Sequence, residues 1–157
     1  ACAAAKLAKE NGVKVSLDAG GLYDGIEELL SYVDILIPSQ EFACGFTGYA
    51  DVHKAMLCLQ ERYLPDVLVI TCGAKGGCYM HDGKVMDYQG ICVPVLDTNG
   101  AGDTFHGAFL VRYLESHSVA ESCRFASAVA ALKCSQEGVR EADLSAEQAE
   151  TLYRMHR

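Results

Sequence analysis

The residues able to do chemistry lie together in D-T-N-G-A-G-D-T-F, positions 97–105. Gly100-Ala101-Gly102 leads into a segment with Phe105, Ala108, Phe109 and Tyr113 at roughly helical spacing. Two glycines around a small residue let the backbone approach a ligand closely. Their N–H groups would then sit at a helix N-terminus, where the dipole is positive and an anion is welcome. Asp103 is the unusual element of such a cradle. As a carboxylate in the first turn it could simply stabilise the helix, by about 0.3–1 kcal/mol. It could also take the proton from a hydroxyl that attacks a bound phosphate. A base beside an oxyanion cradle is what phosphoryl transfer to an alcohol requires.

Other nucleotide and nucleophile motifs are missing. There is no G-x-x-x-x-G-K-[ST], no dinucleotide G-x-G-x-x-G, no G-x-S-x-G and no S-x-x-K. None of the eight cysteines forms a C-x-x-C pair, and the five histidines show no H-E-x-x-H spacing. The cysteines read as small buried hydrophobes of a reducing compartment rather than a disulfide framework.

The elements that must hold these residues alternate. Residues 1–11 read as a helix with Gly12 after its end, and 13–17 as a short strand closed by a turn carrying Asp18. Helical spacing covers 24–33, through Ile26, Leu29, Leu30 and Val33. The apolar run 34–37 before Pro38 reads as a buried parallel strand. Helices follow at 40–46 and 51–62, then the strand 67–71. Strands 77–81 and 84–88 flank an Asp82-Gly83 hairpin turn. A strand is expected at 91–95, then helices at 103–116, 119–135 and 145–155. This order predicts an α/β fold, mostly parallel, with helices on both faces and an antiparallel hairpin at one edge.

The chain has 157 residues, half of them hydrophobic, with 13 basic against 21 acidic side chains and a net charge of −8. That balance argues against a nucleic-acid partner, and no apolar run reaches the roughly 18–20 residues of a membrane helix. The start lacks a signal-peptide pattern and an initiator Met, which suggests a cytoplasmic protein and a longer parent chain.

The 97–105 segment resembles the C-terminal signature of the PfkB (ribokinase-like) carbohydrate kinases. The stretch V-L-V-I-T-C-G-A-K-G-G at 67–77 is similar to that family's strand and nucleotide loop. V-D-I-L-I-P-S-Q-E-F-A at 33–43, with G-F-T-G at 45–48, resembles the strand and helix before it. Glu137-Gly138 resembles the loop that closes the nucleotide site. The resemblance spans nearly all of 1–157 and implies the C-terminal, ATP-binding portion of a three-layer αβα domain. The N-terminal half, with its lid and sugar-gripping residues, is not in this stretch.

The resemblance implies transfer of phosphate from ATP to a sugar hydroxyl. It makes Asp103 the catalytic base and the N–H groups of Gly100, Ala101 and Gly102 the anion hole. Thr71, Gly73, Gly76, Ser127, Ala130 and Gly138 would contact the nucleotide. For Thr71 a strand-ending β-branched residue is the alternative, for Gly76 a turn glycine, and for Ser127 and Ala130 plain helix packing. Asp97 and the Asn99 carbonyl, with the carbonyls of Lys133, Gln136 and Gly138, match a monovalent cation site. Ala142 stands where relatives often offer a hydroxyl, so K⁺ use is left open. Relatives carry N-x-x-E where this chain has Ser39-Gln-Glu-Phe42, which leaves Glu41, one position displaced, as the Mg²⁺-network candidate. A nucleoside or vitamin-like acceptor, or a non-catalytic nucleotide-binding module, are the alternatives to a sugar kinase. The acceptor half being absent, the 157 residues alone are expected to be inactive. An exposed sheet edge would invite a second chain, leaving a homodimer open.

Overall fold

A computed structural model describes residues 1–139 and 144–156. The chain divides into two compact units, one of residues 1–72 and 78–86, the other of 73–77 and the described residues from 87 onward.

The first unit begins with α1 (Cys2–Glu10), β1 (Ser16–Ala19), α2 (Ile26–Leu30) and β2 (Ile35–Pro38). It continues with α3 (Gln40–Thr47), α4 (Val52–Tyr63), β3 (Val67–Thr71) and β4 (Gly77–His81). β5 (Lys84–Tyr88) follows, and the strands form one sheet in the order β1-β2-β3-β4-β5. β1, β2 and β3 pair in parallel, with Ser16 opposite Ile35 and Ile35 opposite Val67. The first four residues of β3 are buried, as expected of a parallel strand covered on both faces. Between β4 and β5, Asp82 and Gly83 both have positive φ (48° and 73°). That is the backbone of a two-residue hairpin turn, so the edge pair is antiparallel. Leu30, Leu36, Phe42, Met56, Leu59, Leu68 and Ile70 form the core of this unit.

The expected strand at 13–17 lies further on. Val13 is tied back to the end of α1, its N–H donating to the Ala8 carbonyl (2.9 Å). Val15 is held by a side chain, its N–H donating to Asp34 Oδ2 (2.8 Å). The ladder therefore starts at Ser16, and Asp18 lies within β1, opposite Ile37, rather than in a turn. Asp34 is 5% exposed and also binds Lys9 (2.7 Å) and Lys14 (3.2 Å). Burial alone would raise its carboxyl; the bonds from Lys9, Val15 and Lys14 outweigh this and hold it below the usual carboxylate range.

The second unit contains a single 3₁₀ turn at Gly73–Lys75 and three helices, α5 (Ala101–Ser116), α6 (Val119–Cys134) and α7 (Ala146–Met155). Rings of Tyr88, Phe105, Phe109, Tyr113 and His117 follow one another at 5.8–6.3 Å along α5. Arg112 joins all three helices. Its guanidinium pairs with Glu150 of α7 (2.6 Å) and Glu121 of α6 (3.4 Å), and lies 4.0 Å above the Phe125 ring.

The strand expected at 91–95 does not form. Pro94 has no N–H to offer a ladder. The following amides, of Leu96 and Asp97, donate instead to the Cys134 carbonyl at the end of α6 (2.8 and 3.2 Å). Among the described residues no helix is long and apolar enough to cross a membrane. All eight cysteines are free thiols.

Candidate functional site

The site is built where the 97–100 loop enters α5. Asp97 folds the loop on itself, Oδ1 accepting the Asn99 N–H (2.9 Å). Gly100 then takes the left-handed conformation (φ 75°), which a side chain would strain, and caps α5. A Cβ at Gly100 would also come within 3.0 Å of Val139, because residues 138–139 close over the loop. The Thr104 N–H donates to the Gly100 carbonyl (2.9 Å), so α5 is regular from its first turn.

Asp103 lies in that first turn and is exposed. The Ala101 N–H, expected in the anion hole, donates to the Thr98 carbonyl (3.2 Å). The amides of Gly102 and Asp103 belong to the opening turn, which helix geometry leaves without intrahelical partners. Together with the exposed carboxylate they form a small donor surface carrying one base.

The Asp97 end of the loop holds a cation of its own. Lys133 of α6 is 1% exposed, and its ammonium donates to the Asp97 carbonyl (2.9 Å) and lies 3.5 Å from Asp97 Oδ2. The same Oδ2 accepts the Gly138 N–H (3.2 Å). The Asn99 amide, foremost, together with Lys133 and the Gly138 amide, holds the Asp97 carboxyl below its usual range against the opposing effect of burial. The Lys133 carbonyl, expected as a cation ligand, accepts the Gln136 N–H (3.0 Å). Two unit cations 4 Å apart near a protein surface repel by about 4 kcal/mol. A potassium ion beside Asp97 would face the buried ammonium, so this donor set, as it stands, does not fit one. Ala142 lies outside the described residues. The family resemblance implied only the Lys133 carbonyl as a ligand, and the role of its side chain was not anticipated.

The other expected contacts divide between the units. Gly73 opens the 3₁₀ turn with φ 59°. Gly76 has φ 91°, and a Cβ there would meet the Tyr88 carbonyl oxygen at 2.1 Å, so backbone packing alone demands glycine. Ser127 is buried in α6, and its hydroxyl donates to the Cys123 carbonyl (2.8 Å); Ala130, three residues on, is half-buried. In the first unit Thr71 ends β3 and pairs with Ser39, so the end of β3 and the start of α3 are adjacent. Ser39 caps α3 by accepting the Phe42 N–H (3.1 Å). Phe42 is buried and stacks on Phe46 (5.5 Å), which gives the residue standing in the family's Glu position a packing role. Glu41 is exposed in the first turn of α3. Magnesium arriving on a nucleotide usually takes only one or two protein carboxylates, and an exposed Glu41 meets that minimum.

Comparison with known proteins defines the class. The pfkB family carbohydrate kinase profile matches residues 1–146. The chain belongs to that family. It is 39% identical over 142 residues to a ribokinase of Haemophilus influenzae, covering 87% of this chain and 46% of that protein. It is 38% identical over 136 residues to the ribokinase of Arabidopsis thaliana, covering 82% of this chain and 36% of the relative. The structure of Arabidopsis ribokinase complexed with ribose and ATP superposes with a TM-score of 0.86 at 30% identity, covering 98% of this chain and 51% of that one. The chain thus spans about half or less of the length of these relatives.

Proposed function

We propose that the protein to which this chain belongs transfers the γ-phosphoryl group of ATP to a hydroxyl of a small sugar. The observation that carries this is Asp103, exposed in the first turn of a helix that opens on left-handed Gly100. The family match, and relatives that are ribokinases, support the sugar as acceptor.

In this reading an Asp103 carboxylate oxygen accepts the proton of the sugar hydroxyl. The hydroxyl oxygen forms its bond to the γ-phosphorus as the bond to the β,γ-bridging oxygen breaks, and ADP leaves. The Gly102 and Asp103 amides meet the charge developing on the transferred group, while the Ala101 amide, bound to the Thr98 carbonyl, holds the corner that aims them; being fixed by the helix they need no reorganisation. Thr71, Gly73, Gly76, Ser127, Ala130 and Gly138 contribute to the nucleotide side. Magnesium, carried on ATP, neutralises phosphate charge when bound, and Glu41 would hold it.

The test is Asp103→Asn in the full-length protein. MgATP affinity is expected to stay within a few-fold of wild type while turnover falls by about 10²–10⁴. Turnover near wild type would remove Asp103 from the chemistry.

A further inference from the structure

We propose that the Lys133 ammonium serves as the protein's own monovalent cation at the Asp97 loop, so that the turn into α5 is set without potassium. The inference rests on the kinase reading, because that turn is the one holding the anion-binding amides and Asp103.

The geometry supplies each link. The ammonium is buried (1% exposed), positioned by a 16-residue helix, and reaches both a carbonyl and a carboxylate oxygen of one residue. Those are the kinds of oxygen that would bind a hard monovalent ion. Asp97 in turn fixes the Asn99 amide, and the next amide bond, Ala101 to Thr98, shapes the left-handed Gly100 corner. Gly138 closes the far side by donating to Asp97 Oδ2. One positive charge therefore organises the loop from beneath, and it is covalently tethered. A diffusible ion adds nothing that Lys133 does not already supply.

The experiment uses the full-length protein at constant ionic strength, in KCl or in tetramethylammonium chloride. Two readouts are followed: the melting temperature, and affinity for the non-hydrolysable ATP analogue AMP-PNP with Mg²⁺. Wild type is expected to give the same melting temperature in both salts, and affinities within twofold. Lys133→Met keeps most of the side chain's unbranched length and removes its charge. It is expected to melt lower in tetramethylammonium and to regain stability in KCl, with AMP-PNP affinity rising at least fivefold on the change of salt. A wild-type melting temperature or affinity that climbs with K⁺ overturns the proposal, and so does a Lys133→Met variant indifferent to the salt. Should Lys133→Met not fold, the wild-type salt comparison decides alone. Failure of the wild type to bind AMP-PNP in either salt counts against the kinase reading, while the melting comparison still judges the role of Lys133.

Discussion

Two aspartates, one in each unit, are built from the same parts and turned inside out. Asp34 and Asp97 each accept a backbone amide and each face a lysine, and both carboxyls lie below the ordinary range. At Asp34 the buried member is the acid, 5% exposed, while Lys9 and Lys14 are 43% and 67% exposed. At Asp97 the buried member is the base, Lys133 at 1%, and the acid is 22% exposed. An exposed lysine that loses its partner returns to water. A buried ammonium cannot, and stays behind as an unpaired charge. The first arrangement ties α1 and β1 to β2. The second makes the loop before α5 depend on one fixed positive charge.

Substitutions can break this contrast. Asp97→Ala should cause the largest loss, because it strands Lys133; in thermal melting of the full-length protein it should exceed every change made at Asp34. The double variant Asp97→Asn/Lys133→Met should melt above Asp97→Ala, since removing both partners leaves no orphan charge. Next comes Asp34→Ala, expected to cost about 1.5–3 kcal/mol in urea unfolding, the range for hydrogen bonds to charged groups. Equal losses at Asp34 and Asp97 would show that which partner is buried does not matter. Lys14→Ala should be the smallest, scarcely resolvable and weaker still at high salt, as for other exposed pairs.

Acid does not separate the two sites. Both carboxyls titrate below the unfolded value of about 3.9, so the stabilisation is complete above that pH and is lost as pH falls through the folded values. Asp34→Asn should flatten the acid end of the stability profile without moving its neutral plateau relative to Asp34→Ala by more than about 1 kcal/mol. An unchanged acid limb would remove Asp34 from that transition.

Local patterns carried most of the fold. β3, β4 and β5 begin and end where apolar runs and the Asp82-Gly83 turn place them, and α5–α7 lie within two residues of their expected limits. The failures have non-local causes. β1 moved because Asp34, nineteen positions away, captures the Val15 amide. Residues 91–95 read as a strand by apolar content, yet their continuation is bound by the end of α6. At the site, Gly100-Ala101-Gly102 already marked a loop entering a helix beside Asp103, but the helix expected from 103 begins at Ala101, and the left-handed Gly100 came only with the structure. The Lys133 ammonium was not legible, because its partner lies 36 positions away and nothing in an Ala-rich helix says which way one lysine turns.

The column of rings along α5 has a consequence for how this protein can change. Phe105, Phe109, Tyr113 and His117 recur every four residues, so Asp103 and the rings are geared to one shaft. Removing or inserting one residue within α5 would turn the upper part against the lower by about 100°. Either the rings would leave their column or Asp103 would swing away from the Gly100 corner. The length of α5 is therefore as closed to drift as the side chains it carries inward.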